Sequence, residues 1–139
     1  MKKQVIIVII FGSLIGYFFG KIFFQNYYVD KENIYYLQYG VYTSYEVANT
    51  NTEHLNVTHV IKEYDDKYYV YLGVTADYDV ALKLQELYEE MSIYTYIRSD
   101  YVENSELIDV LKTYDKQLTS FENVDVVMKE IFDNYALDL

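Results

Sequence analysis

The chain has 139 residues, which suits one modest domain with an appendage and argues against a multidomain enzyme. It carries 22 Asp and Glu against 11 Lys and Arg, and no Cys, Pro or Trp, so disulfides, thiolate metal sites and a cysteine nucleophile are excluded. Three basic residues precede position 25 and every acid follows it; eight bases then face 22 acids, a net of −14 that repels nucleic-acid phosphate.

Gln4 to Phe24 reads QVIIVIIFGSLIGYFFGKIFF, with Lys21 as its one charge. As a helix this run is roughly 31 Å long, about one hydrocarbon core. Lys21 can snorkel to the interface, and Tyr27 and Tyr28 suit the headgroup belt. A cleaved signal would show small residues after the apolar run, whereas Lys21-Ile22-Phe23-Phe24 stands there. Residues 1–24 are therefore expected to be a short cytoplasmic start and an uncleaved transmembrane anchor, and 25–32 a linker. Lys2 and Lys3 favour the cytoplasmic side, which places the rest outside the membrane. Gly12, Gly16 and Gly20 form a double GxxxG, a surface on which two anchors can pack as a homodimer.

The remainder begins with a duplication. Residues 35–48 match 68–81 at seven of 14 positions with a constant offset of 33. Two strand–helix–strand copies suggest a split βαβ unit, since a solenoid needs three or more repeats. Residues 34–42 alternate as a strand, and Ser44 can cap a helix over 45–55. Tyr- and Val-rich strands follow at 57–64 and 67–74, joined by Asp65-Asp66 as a hairpin turn. Asp77 caps a second helix whose apolar stripe is Val80, Ala81, Leu84, Leu87, Tyr88 and Met91. A last strand is expected at 93–98. The fold class is then α+β, a split β-α-β-β-α-β arrangement with a four-stranded antiparallel sheet and both helices on one face. Two further amphipathic helices are expected within 100–139: one at 104–118 with Leu107, Ile108, Leu111 and Leu118, another at 123–135 with Val124, Val127, Met128, Ile131 and Tyr135.

If Leu37, Val70, Leu72, Ile93 and Ile97 face the helices, the other sheet face carries Tyr36, Gln38, Tyr42, Tyr69, Tyr71, Tyr94 and Tyr96. Tyrosine offers an apolar plane and a hydroxyl, which suits stacking on sugar C–H groups, and Gln38 adds an amide for sugar hydroxyls. Tyrosine is also a strong β-former, so such a face arises without any ligand. The tail decides between these readings: laid across the sheet, its helices make the tyrosines core; kept clear, they leave a groove.

Tyr36-Leu37-Gln38-Tyr39-Gly40-Val41-Tyr42 with Ala48 in the helix that follows, then Tyr69-Val70-Tyr71-Leu72-Gly73 with Ala81, resembles a SPOR (sporulation-related repeat) domain over residues 33–99. The resemblance implies a membrane-anchored protein of the bacterial cell envelope whose domain binds peptidoglycan glycan strands, at the division septum or in sporulation. The chain departs from that pattern where Tyr69 replaces an Arg common in the third strand, Val74 a Pro, and Met91-Ser92 a Gly before the last strand. A second reading keeps the fold without the sugar site: a non-catalytic acidic module that binds envelope protein partners through charge.

Catalytic and cofactor signatures are absent from the sequence. His54 and His59 lack metal-ligand spacing, and after the anchor only Gly40 and Gly73 remain, too few for a phosphate-cradling loop. Asp65-Asp66 and Asp77-Tyr78-Asp79 read as turn and cap residues, and Glu86, Glu89 and Glu90 as a solvated helix face. Asn56-Val57-Thr58 fits a glycosylation sequon, which matters only in a eukaryotic secretory pathway. The expectation is a binding protein with no enzyme activity, no cofactor and no metal.

Overall fold

A computed structural model describes residues 32–103, 105–118 and 121–135. The anchor and linker expected before residue 32, with Gly12, Gly16 and Gly20, lie outside these residues. Among the described residues no helix is long and apolar enough to cross a membrane.

The elements run β1 (Glu32–Tyr42), α1 (Tyr45–Thr52), β2 (Val60–Tyr64), β3 (Lys67–Thr75), α2 (Tyr78–Glu90), β4 (Tyr96–Val102), α3 (Ser105–Asp115) and α4 (Phe121–Asn134). The four strands form one antiparallel sheet in the order β2-β3-β1-β4. This is an α+β fold, and its first six elements follow the order expected from the duplication.

The duplication is local in origin. Ser44 and Asp77 sit 33 residues apart, both in extended conformation, and each side chain accepts a backbone N–H of the helix it opens. One turn further in, Ala48 and Ala81 are both fully buried. The β2–β3 turn is Asp65-Asp66, with φ of 50° and 57° between the paired Tyr64 and Lys67. Two successive left-handed residues define a two-residue type I′ hairpin, whose twist matches that of the strands.

Directly paired residues share a face. On one face Tyr68 meets Tyr45 of α1, with ring centroids 6.2 Å apart, and Tyr35 meets Tyr78 of α2 at 5.3 Å. Leu37 and Val70, each two positions along from Tyr35 and Tyr68, share that face and are fully buried beneath the two helices. The opposite face carries Tyr36 and Val74, each in the pairing row of Arg98, then Gln38 in the row of Tyr71 and Tyr96.

The tail helices pack against the end and outer edge of β3. Ile34, Tyr36, Tyr71 and Val74 are fully buried, in one cluster with Leu107, Ile108 and Leu111 of α3 and Val124, Val127, Met128 and Ile131 of α4. Each fully buried aliphatic side chain contributes about 1.5–3 kcal/mol, so these apolar stripes hold the tail firmly to the domain. Polar ties set its position. The Asp115 carboxylate accepts from Thr75 Oγ1 at 2.6 Å and from the Ala76 N–H at 3.2 Å. Asp125 accepts from the Thr58 N–H at 2.6 Å, and Lys112 pairs with Glu32 at the surface.

The tail also closes an edge. β2 pairs with β3 only as far as Tyr71, so residues 72–75 of β3, bordered by β1 on one side, have no strand on their outer side among the described residues. There the Tyr88 hydroxyl donates to the Leu72 carbonyl at 3.0 Å, and the Val74 N–H donates to Met128 Sδ at 3.4 Å. Buried backbone groups need such partners, and here side chains supply them.

Several boundaries differ from the sequence reading. β2 begins at Val60 instead of residue 57, because Asp125 holds the Thr58 backbone away from the ladder. α1 stops at Thr52 instead of 55, where the Thr52 hydroxyl folds back on the Ala48 and Asn49 carbonyls. The last strand is 96–102 instead of 93–98. Ser92 (φ 61°) and Ile93 donate to the Glu89 and Tyr88 carbonyls as a Schellman cap, and the Thr95 carbonyl accepts from Gln85 Nε2, so pairing starts at Tyr96. The tail helices are 105–115 and 121–134.

Candidate functional site

The open part of the second face is an aromatic patch that holds a guanidinium. β3 presents Tyr69 and Tyr71 with rings stacked at 6.2 Å and 12°. Tyr36 of β1 lies against Tyr71 at 4.7 Å. Arg98 reaches from β4 across β1: its Nη1 donates to the Tyr71 hydroxyl at 2.8 Å, and its guanidinium carbon is 5.0 Å from the Tyr69 ring centroid. Gln38 is flanked in register by Tyr71 and Tyr96, and Lys62 of β2 is paired with Tyr69. Tyr64 meets Tyr69 at 6.4 Å and closes the far side.

Burial grades this patch. Tyr36 and Tyr71 form a closed floor, Gln38, Tyr69, Lys62 and Arg98 are half-buried, and Tyr96 is 68 % exposed. Burial pushes the Tyr71 phenol above the ordinary tyrosine range, and the Arg98 guanidinium opposes that shift. Guanidinium over a ring and bonded to a phenol is held in place, so its remaining donors are preorganised toward solvent.

The structure therefore brings together five of the seven sheet-face residues singled out in the sequence: Tyr36, Gln38, Tyr69, Tyr71 and Tyr96. Tyr36 and Tyr71 belong to the core end of the patch and present no free ring face. Tyr42 lies on the other face, a correction with a clear cause. The β1–β3 register slips between Gln38 and Gly40, a bulge that turns Tyr42 toward Tyr68 on the helix side. Its ring folds over Gly40, where an added Cβ would meet the Tyr42 hydroxyl at 2.7 Å. Tyr94 precedes β4 and is 72 % exposed, away from any strand pairing. Arg98 is the residue missed. Its signal was present: it is the chain's single arginine, two positions from Tyr96 and thus on the same strand face.

Other features are separate from this patch. His54 Nε2 is 3.5 Å from the Tyr39 hydroxyl beside a cavity of about 200 Å³, while His59 Nδ1 contacts the Val57 carbonyl. A cavity of about 480 Å³ lies between the start of α2 and the end of α3, lined by Asp77, Lys112, Asp115 and Lys116 among others. No protein-family model, curated protein or solved structure matches this chain.

Proposed function

We propose that this is a membrane-tethered, extracytoplasmic domain of SPOR type that binds peptidoglycan glycan strands in the bacterial envelope, at division or in sporulation. The observation that supports this reading is the Arg98–Tyr69–Tyr71 arrangement beside Gln38. Tyr69 and Tyr96 offer half-open and open rings for sugar stacking, Gln38 offers an amide for hydroxyls, and Arg98 offers a fixed cation for a muramic carboxylate. Arg98 thus supplies from β4 the cation that the resemblance places on the third strand, where Tyr69 stands. The reading needs neither catalysis nor a cofactor.

The test is sedimentation of the full chain in detergent with peptidoglycan, before and after enzymatic removal of stem peptides. Wild type should pellet with stripped glycan, and Gln38→Ala, Tyr96→Ala and Arg98→Ala should stay in the supernatant. Absence of pelleting by the folded wild type with both preparations overturns the reading.

The burial of Tyr36 and Tyr71 favours one competing reading, an acidic envelope module that binds a basic protein partner. Such binding would survive Tyr96→Ala and weaken steeply with added salt.

A further inference from the structure

The two edges of the sheet are treated differently. On the β2 side the outer strand has only five residues and carries Lys62 and Glu63, and the run of β3 beyond it is sealed by Tyr88 and Met128. On the other side β4 is paired with β1 along all seven of its residues, from Glu32↔Val102 to Gln38↔Tyr96. Among the described residues no strand lies on its outer edge. β4 also lacks the usual devices that blunt an edge: it has no proline, no lysine and no break in its pairing, and Arg98 is turned inward onto Tyr69 and Tyr71.

The flanks of this edge are apolar. Tyr101 on the helix side is 68 % exposed. Gln85 of α2 bonds the Thr95 carbonyl just before β4, Tyr78 packs on Tyr35 of the adjoining strand β1, and Leu82 lies between them on the same helix face. Tyr78 is 50 % and Leu82 38 % exposed.

We propose that the outer edge of β4 pairs antiparallel with β4 of a second copy of this chain, centred on Ser99, joining two four-stranded sheets into one. The sequence of the strand selects that register. A pairing centred on Ser99 sets Arg98 opposite Asp100 of the second copy, Ile97 opposite Tyr101, and Tyr96 opposite Val102. Ser99 is the midpoint of the seven-residue strand, so moving the centre by one residue leaves two residues of each strand unpaired, and a centre on Asp100 also sets like charges directly opposite. A centre between residues would oppose side chains from different faces. Residues 96–102 carry one positive and one negative charge, so this edge is neutral in a strongly acidic chain. Gly12, Gly16 and Gly20 would favour the same stoichiometry in the membrane. The pairing does not rest on the glycan reading. If both hold, the two patches lie side by side on one continuous face.

Disulfide trapping of the full chain in detergent tests the proposal, since the natural sequence has no cysteine. Ser99→Cys should form an inter-chain disulfide under mild oxidation, because directly opposed residues have Cβ atoms about 4.5–5.5 Å apart. Ile97→Cys alone and Tyr101→Cys alone should trap poorly, while an equal mixture of the two should trap roughly tenfold more than either. Glu63→Cys, on the opposite edge, is the control for chance collision. Failure of folded Ser99→Cys to trap, or equal trapping by Glu63→Cys, overturns the proposal. Amide exchange on the unsubstituted chain gives a second measurement: protection of those β4 amides that point away from β1 should fall on dilution, and protection of these amides independent of concentration overturns the pairing.

Discussion

Arg98 Nη1 lies 2.8 Å from the phenol oxygen of Tyr71, although the two residues stand on strands separated by β1. The guanidinium bridges a face that would otherwise be bare tyrosine, and it couples the buried floor of the patch to its exposed rim. Arg98→Ala should abolish glycan pelleting and lower stability by about 1–2 kcal/mol, through loss of the stacked cation and the charge-assisted bond. Arg98→Lys should keep most of the stability and little of the binding, because an ammonium cannot stack and bond in a plane. Ultraviolet titration of Arg98→Ala should also move the Tyr71 phenol higher, since the opposing positive charge is gone. Unchanged pelleting in both variants would remove Arg98 from the site.

Asp115 ties α3 to the end of β3, and its protonation carries a defined sign. Burial, the largest influence, raises its carboxyl above the ordinary Asp range against the bonds from Thr75 and Ala76. A raised folded value means that the folded state holds the proton more tightly than the unfolded chain. The contribution of this group to stability therefore grows as pH falls through the folded value toward the unfolded one, about 3.9, and is lost as pH rises. Asp115→Asn cannot take up that proton, so wild type should gain on it between about pH 7 and about pH 4.5 in urea unfolding. Asp115→Ala should cost about 1–3 kcal/mol at neutral pH, by leaving the Ala76 N–H and Thr75 hydroxyl without their acceptor. A wild-type advantage that shrank on acidification would contradict this assignment.

Gly40 and Gly73 occupy equivalent places in the duplication and should answer oppositely to the same change. At Gly73 an added Cβ would sit 3.7 Å from Leu37 and Met128, an ordinary contact at a negative φ. Gly73→Ala should be neutral or stabilise by up to about 1 kcal/mol. At Gly40 the added Cβ would meet the Tyr42 hydroxyl at 2.7 Å, so the half-exposed Tyr42 ring must swing aside and lose its packing, and Gly40→Ala should cost about 1 kcal/mol. Thermal midpoints of the pair decide it, and equal losses at both would contradict the packing described.

Among the described residues three other than glycine hold positive φ, and two of them offer easy gains. Asp66 occupies the second position of the type I′ turn and Ser92 the left-handed position that ends α2. Asp66→Gly and Ser92→Gly should each stabilise by about 0.5–1 kcal/mol, because only glycine adopts this conformation without a Cβ penalty. Ser92→Val should destabilise by more than that. Destabilisation by Ser92→Gly would argue against the cap.

The elements legible in the sequence were those whose causes are local. The caps at Ser44 and Asp77, the buried Ala48 and Ala81, and the alternation of β1 and β3 depend on a few neighbouring residues, so an offset of 33 was enough to order six elements and pair their roles. The stripes of α3 and α4 were legible for the same reason. What those stripes cover was not, because an amphipathic helix specifies that it must bury a face without specifying against what. The tertiary structure decided that through contacts distant in sequence: Asp115 to Thr75, Asp125 to Thr58 and Met128 to Val74 place the tail against the end and outer edge of β3. Tyr36 and Tyr71 thereby became core, while Gln38, Tyr69 and Tyr96 stayed accessible. The bulge that turns Tyr42 away arises from a mismatch between two paired strands and exists in neither strand alone. Arg98 met Tyr69 and Tyr71 for a related reason: strand order β2-β3-β1-β4, a global property, puts β4 one strand from β3. Composition and periodicity determined which side chains alternate and where helices start; only the closed sheet determined which tyrosines meet a cation and which meet the core.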